Sequence, residues 1–577
     1  VATQQRKRKT IVWLALTCII ALYLSSLHHL HPASLFGQYH DDTIYFSTAK
    51  ALAEGRGYII PSFPGTPPQS KYPILYPWLL SWIWRWSPTF PANLGPALWL
   101  TAALGCVFLL VAFLWMRRTD TVGDVPALIL TAICASNLFF LGMSAAVMSD
   151  VPFGASALIA LMLAEHTMRP HGNVNLAILT GLAAGLATAF RTLGVAVFAG
   201  ILVVGLLRRA YRQSIGLFLA ALPLLAVAFW PTLHHMLTNP FPVASLPTDI
   251  GWRQTYGYYT GYLDNWKSSV HNSGDLVRMV RLNGVFLLIA PARYLLSPLV
   301  EPVSLASLTL YFVMLTGLIS GLLRRVRRQQ NTVFFICLVS YSVCLIVWPW
   351  GQMGRFLIPF LPLFLVGFWE EASRLMRILG SALAKSRPTG ERVVAAAMSA
   401  AGAVLAFAIL WNLFHAVPEQ IRKSSDRRAR LLPEKMEAFR WIEQNTEPNA
   451  RFIAYEDGLL YLYTGRQGSR PIAISPVWFY SNNTRALESD MAHLMDTARH
   501  IGARYWLSSA DDFGIDPDQQ LVSQRTSQLK RVLPALFQSR NHGVEIIDVS
   551  CAVHPDDSEC KSVRSVLFPY LDARIDR

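Results

Sequence analysis

Two adjacent aspartates, Asp41 and Asp42, stand in HDDTIYFSTAKALAEGRGY, just after the first apolar run of the chain. A carboxylate held within hydrogen-bond reach takes the proton of an attacking hydroxyl. Asp150 in VMSDVPFG adds a third carboxylate. Lys71 in SKYPILYPWLL, Arg191 in GLATAFRTLGV, Arg355 in QMGRFLIPFLPL and Arg293 within the run 285–298 supply cations in apolar surroundings. Carboxylates with several cations in one cavity suit an anionic substrate handled at the membrane surface. Asp42 and Asp150 are candidates to orient Asp41 or to hold a divalent metal ion. Tyr45 falls one helical turn after Asp41. Taken singly, these residues read as helix-capping aspartates, an interfacial lysine and snorkelling arginines; the functional reading comes from their convergence.

The composition shows what must position them. Of 577 residues, 53% are hydrophobic and only 15% charged, where a soluble domain carries about 25%. Apolar runs at 11–30, 94–116, 127–147, 151–165, 194–207, 214–233, 305–323, 333–350, 356–369 and 393–411 recur along the chain. Shorter ones at 72–86, 176–190 and 285–298 span, dip or lie flat. About 11–13 transmembrane helices are expected, at roughly 20 residues each. The net charge of +15 sits in clusters between the runs, at 6–9, 117–118, 208–212 and 324–328, which is the positive-inside pattern. Those clusters lack the interleaved aromatics and compact domain of a nucleic-acid binder, so no nucleic acid is expected.

With the clusters cytoplasmic, the N-terminus starts inside and the run after RKRK reads as a retained anchor. Segment 31–72 is then a first outer loop carrying the aspartates, Asp150 lies at the same outer face, and 234–283 forms a long outer loop. Asp41, Asp42, Lys71, Asp150, Arg191, Arg293 and Arg355 all fall at outer ends of apolar runs, where ionisable groups face a cavity and mark function.

Residues 415–577 have the composition of a soluble domain. KMEAFRWIEQN is an amphipathic helix, RFIAY, ARYWLSS and HGVEIIDVS read as strands, and an outer α/β sheet domain follows. Cys551 and Cys560, the two cysteines in this part, are expected to form a disulfide on the oxidising side. The loop WRQTYGYYTGYLDNW suits either an interfacial flap or an aromatic belt. The tripeptide DFG at 512–514 lacks the other kinase motifs, and NNT at 482–484 is a glycosylation sequon.

DDTIY with AKALAEGRGY, KYPILYPWLL, SDVPF, GLAAGLATAFRTLG and RFLIPFLPLFL occur in that order. This ordered set resembles the GT-C superfamily of polytopic glycosyltransferases, in its protein O-mannosyltransferase and aminoarabinose-transferase-like branch. The resemblance covers the membrane part, residues 1–414, and implies inverting transfer of a sugar from a polyprenyl-phosphate donor. The acceptor, at the outer face, is a protein, a glycolipid or a polysaccharide, and membrane lipids are further partners. Asp41 matches the family's essential carboxylate and Asp150 the acidic residue of the second outer loop. Lys71 matches a phosphate-contacting lysine, Arg355 looks like a second phosphate contact, and Arg191 is similar to a recurrent arginine. Ser70 stands where some relatives have an acidic metal ligand, so a divalent metal is left open.

The fold expected is mainly α, a polytopic GT-C type membrane protein with a C-terminal α/β soluble domain on the outer side of a bacterial inner membrane. A transporter or flippase for a lipid-linked anionic substrate is the alternative. It predicts paired internal repeats with broken helices at mid-membrane, and the sequence shows none. A non-catalytic assembly partner would tolerate loss of Asp41, Lys71 and Arg355.

Overall fold

The run IVWLALTCIIALYLSSL contains neither proline nor glycine, and in the computed structural model of the protein it lies within one helix, α1 (Ala2–His29). The structure describes residues 2–30, 35–118, 122–169, 171–238, 250–262, 266, 270, 272–298, 304–349, 353–384, 390–473, 484–513 and 519–567. Asn482 of the sequon and Gly514 of DFG lie outside the described residues, as do parts of 234–283.

After α1 the chain forms α2 (Asp41–Ala53), whose first turn carries both aspartates at the positive end of the helix dipole. Gly55 and Gly57, at φ +72° and +88°, end that stretch. The proline-punctuated run 72–86 yields only α3 (Leu75–Trp86), 12 residues long. At 1.5 Å per residue it reaches about 18 Å, too short for a hydrocarbon core of about 30 Å. It lies against α2, with Trp84 Nε1 donating to the Phe46 carbonyl at 3.0 Å.

Next come α4 (Leu94–Arg117), then α5 (Asp124–Ala135) and α6 (Leu138–Ser144), which meet at a 60° bend. Asn137 caps α6 there by accepting from the amides of Phe139 and Phe140. They are followed by α7 (Asp150–Thr167), α8 (Val174–Phe190), α9 (Gly194–Leu207), α10 (Tyr211–Thr238) and α11 (Ile250–Thr260). Helices Ser273–Leu296, Leu305–Arg327, Thr332–Ile346, Leu361–Ala384 and Gly390–Trp411 complete the apolar part.

Among the described residues six helices are long and apolar enough to cross a membrane, or seven if α5 and α6 are one bent span. The expected 11–13 spans are therefore not all met by length and composition. Several runs are short: α8, α9 and Thr332–Ile346 are apolar helices of 10–17 residues, and α9, with 14 residues, rises only about 21 Å. Large apolar side chains stand exposed along α10, among them Ile215, Leu219, Val227 and Trp230. Water disfavours so long an apolar face and acyl chains do not. The chain is a polytopic membrane protein with a mixed α/β portion.

Helix Gly390–Trp411 runs through a π-helical turn, Asn412–Ala416, directly into helix Val417–Asn445. The boundary expected at 414/415 falls inside that turn. A five-stranded sheet follows, built from β1 (Arg451–Ala454), β2 (Gln467–Ser469), β3 (Tyr505–Ser509), β4 (Ala535–Gln538) and β5 (Val544–Asp548), in the order β2-β1-β3-β5-β4. β1 is parallel to β2 and β3, and β5 is antiparallel to β3 and β4. Period-two alternation sends Ile546 to one face and Ile547 to the other, into separate apolar cores. Cys551 and Cys560 form a disulfide, with 5.3 Å between their Cα atoms.

The first of those cores is shared with the membrane part, since it includes Phe36 and Phe46 as well as Leu459, Leu460 and Ile546. Hydrogen bonds fix the joint: Gly468 N donates to the Ser62 carbonyl at 2.8 Å, Gly251 N to Asp496 Oδ2 at 3.1 Å and Gln254 Nε2 to Asp490 Oδ1 at 3.0 Å. At the closest approach a Cβ on Gly458 would lie 2.4 Å from Thr43 Oγ1 and 2.7 Å from Thr43 Cβ. Gly458→Ala is therefore expected to destabilise the protein by about 1–3 kcal/mol in thermal unfolding in detergent. Gly402→Ala, where a Cβ meets open space, should not.

Candidate functional site

Five separate elements bring their ends together above the bundle. Asp41 opens α2, Asp150 opens α7 and Arg191 closes α8. Arg355 lies on the short helix Met353–Phe356, and Lys71 on the loop before α3. That loop is pinned by backbone bonds: Ser70 Oγ donates to the Thr260 carbonyl at 2.6 Å, and Thr232 Oγ1 donates to the Ser70 carbonyl at 2.5 Å.

Arg191 pairs with Asp150 at 2.7 Å. Arg355 spans the two carboxylates, 3.5 Å from Asp41 and 4.0 Å from Asp150. Tyr72 donates its hydroxyl to Asp41 Oδ1 at 2.5 Å. Tyr45 shares a hydrogen bond of 2.9 Å with Ser149, whose Oγ is 3.5 Å from Arg191, and its ring lies 4.7 Å from that of Tyr72. Lys71 Nζ donates to the Tyr258 carbonyl at 2.7 Å and sits 4.1 Å from the Tyr258 ring centroid. Exposure separates the carboxylates: the Asp150 side chain is 1% exposed, whereas Asp41 is 16% and Arg355 14% exposed. Asp150 is therefore an internal counter-charge, and Asp41 is the carboxylate a ligand can reach.

Electrostatics follow from this arrangement. Burial alone would raise the Asp41 carboxyl, but Arg355, then Lys71, the Tyr72 hydrogen bond and Arg191 outweigh it and hold it below its ordinary value. Burial pushes the Lys71 ammonium down to about 8 against the pull of Asp41, with Arg470 and Arg355 adding to the fall. Three cations face two carboxylates, leaving one positive charge in excess, which suits a monoanion.

Not every residue singled out by the sequence joins this cluster. Asp42 turns away: its carboxylate accepts from the amides of Gly37 and Thr43, both at 2.8 Å. Burial pushes it up to about 7, against those bonds and the nearby Arg428. Arg293 is exposed, with its guanidinium 5.9 Å from the Phe139 ring; its neighbour Tyr294 is the one that points inward. The residues present do not fit the divalent metal considered for Asp41, Asp42 and Asp150. Arg355 stands between Asp41 and Asp150, Asp42 faces elsewhere, and among the described residues no three His, Cys, Asp or Glu side chains converge.

The structure adds residues that carried no separate signal. Tyr72 and Tyr258 contact Asp41 and Lys71, and Tyr262 stands over Lys71 at 5.6 Å. Arg470, from the end of β2, lies 5.1 Å from the Tyr258 ring and 4.0 Å from that of Tyr455. The aromatic run 252–262 had stood out as flap or belt; it forms α11 and the turn after it, and lines the site. Beside the Lys71 loop an apolar groove of about 490 Å³ runs along α10, lined by Tyr58, Pro68, Ile74, Val227, Trp230 and Pro231.

No protein-family profile and no curated protein matches the sequence. Among solved structures the fold is similar to that of ArnT from Cupriavidus metallidurans bound to undecaprenyl phosphate. The TM-score is 0.50 at 11% identity, over 93% of this chain and 98% of that one. The apo state of the same protein gives 0.48 at 12% identity, over 95% and 99%. The archaeal oligosaccharyltransferase AglB from Archaeoglobus fulgidus, in complex with an inhibitory peptide and a dolichol-phosphate, gives 0.48 at 13%, over 91% and 74%. The likeness to ArnT is one of fold, broadly GT-C-like: a membrane helix bundle joined to a soluble portion.

Because Asp150 is buried beside Arg191, Arg191→Met leaves it only the 4.0 Å contact with Arg355 and is expected to cost about 3–5 kcal/mol of stability. Combining it with Asp150→Asn should recover part of that loss, a non-additivity to be read in denaturant unfolding of the four proteins in detergent.

Proposed function

We propose that the protein is an inverting glycosyltransferase that moves a sugar from a polyprenyl-phosphate donor to an acceptor hydroxyl at the outer face of a bacterial inner membrane. The observation that carries this reading is the reachable, ionised Asp41 beside Lys71 and Arg355, with Asp150 and Arg191 behind them. In this reading the N-terminus is cytoplasmic, and the shorter helices complete the bundle with the six long ones. Residues 1–414 form the membrane transferase domain and 415–577 the outer domain. The apolar groove on α10 seats the carrier's prenyl chain, because it opens beside the lysine that would meet its phosphate.

The reaction follows from the charges. The acceptor oxygen attacks the anomeric carbon from the side opposite the phosphate, its bond to carbon forms as the carbon–phosphate oxygen bond breaks, and the configuration inverts. The acceptor proton passes to Asp41. A carboxylate held below its ordinary value is a weak base for a free alcohol, but the hydroxyl becomes acidic as its oxygen bonds to carbon, so the transfer falls late. The donor is a monoanion and the released lipid phosphate carries one more negative charge. Lys71 and Arg355 meet that growing charge. The fold shared with ArnT, whose structure holds undecaprenyl phosphate, supports the donor class.

Two outcomes test the reading with purified protein and a panel of radiolabelled polyprenyl-phosphate sugars. Asp41→Asn should lower turnover by about 10²–10⁴-fold with the donor still bound; failure of wild type to bind any carrier lipid would overturn the reading in favour of a transporter. The pH profile has a sign set by Lys71, which is charged below about 8 and neutral above it. The donor's kcat/KM should therefore fall as pH rises through about 8, and Lys71→Arg should carry the fall to higher pH.

A further inference from the structure

Asp41 follows a turn that the backbone disfavours. His40 has φ 58° and ψ −44°, and the amide of Asp41 donates back to the Tyr39 carbonyl at 2.6 Å. This is a three-residue γ-turn of the strained kind, rare for a residue with a Cβ, and such strain persists only where surrounding contacts over-determine it. Here the contacts are made by the imidazole. Its Nε2 is 2.7 Å from Asp457 Oδ1 and its Nδ1 is 3.3 Å from the Tyr258 hydroxyl. The rings of Tyr258 and Tyr259 flank it at 5.4 and 5.5 Å.

Asp457 belongs to the helix that follows β1 and is 0% exposed. Its Oδ1 also accepts from the Tyr259 hydroxyl at 2.6 Å, and that oxygen accepts from Arg470 N at 3.1 Å. Burial, with Arg470 next to it, lowers the His40 imidazole below its ordinary value. The neutral ring then donates from Nε2 to Asp457 and accepts at Nδ1 from Tyr258. A fully buried carboxylate is costly unless it is paired and hydrogen-bonded. Among the described residues this carboxylate bonds to Tyr259 and to His40, the residue that precedes Asp41.

We propose that Asp457 is a positioning residue for Asp41: through His40 it holds the strained turn that aims the Asp41 carboxylate at Tyr72 and Arg355. The inference rests on the proposed role of Asp41 as base, and it makes the sheet-bearing portion part of the catalytic apparatus even though it contributes no base of its own.

The test has one arm that needs no substrate. Cryo-electron microscopy of wild type and Asp457→Ala in nanodiscs should show the positive φ at residue 40 relaxed and the Asp41–Tyr72 hydrogen bond lost. An unchanged turn with that bond intact overturns the proposal. In the turnover arm, Asp457→Ala should lower kcat by about 10–100-fold, the cost of an ångström-scale misplacement, with donor KM within about two-fold; Asp457→Asn, which keeps the acceptor oxygen, should restore most of it. Glycine adopts the turn without strain, so His40→Gly should largely remove the effect of Asp457→Ala. An equal loss in both backgrounds means that Asp457 does not act through His40. Should Asp457→Ala fail to fold, Asp457→Leu, which fills a similar volume without an acceptor oxygen, decides by the same structural readout. A wild type that turns over no donor fails the transferase reading alone and leaves the structural arm standing.

Discussion

A carboxylate that is 1% exposed at the end of an apolar helix bundle must be neutralised where it stands, and Arg191 does this for Asp150 at 2.7 Å. Once that pair is in place, the start of α7 and the end of α8 are locked to one level. Ser149 and Tyr45 then share a hydrogen bond that brings α2 to the same level. Arg355 stands between the two carboxylates, 3.5 Å from Asp41 and 4.0 Å from Asp150, which Arg191 already pairs. Its nearer partner is Asp41, the more exposed of the two carboxylates. The excess of one positive charge is thus a product of packing order: the inner pair is closed and the outer pair is open.

The sheet-bearing portion is joined by the same logic of satisfied polar groups. β2 lies at the sheet edge, a place where unpaired backbone groups invite another chain. Gly468 N is satisfied there by Ser62, in the segment that leads to Lys71. Arg428 reaches from helix Val417–Asn445 to the Phe36 carbonyl at 3.1 Å, close enough that a Cβ on Gly37 would lie 2.8 Å from it. A shared apolar core and these bonds hold the portion against the segment between α1 and α3.

Much of this was legible in the residues. Asp41, Asp150, Lys71, Arg191 and Arg355 stood out because charge at the end of an apolar run is expensive without a partner, and the structure brings all five together with Tyr45. Asp42 and Arg293 carried the same signal and sit elsewhere, because the pattern registers depth along a helix and is blind to rotation about it: Asp42 is one residue, about 100°, round from Asp41. Strands β1, β3 and β5 were visible in RFIAY, ARYWLSS and HGVEIIDVS, whereas the short β2 and the edge strand β4 were not singled out. The number of spans was harder, since a 14-residue apolar helix reads alike whether it crosses or lies within the bundle. His40, Asp457 and Arg470 were out of reach, because their significance is tertiary and arises where distant segments meet.

That last distance has a meaning in time. His40 and Asp457 are 417 residues apart in the chain. At roughly 5–20 residues per second of synthesis, the ribosome supplies the second about 20–80 s after the first. During that interval Asp41 lacks the proposed clamp, so a chain made only as far as helix Gly390–Trp411 has the charges of the site without their aim. Synthesis of the segment around Asp457, rather than insertion of the apolar helices, is then what supplies the proposed clamp.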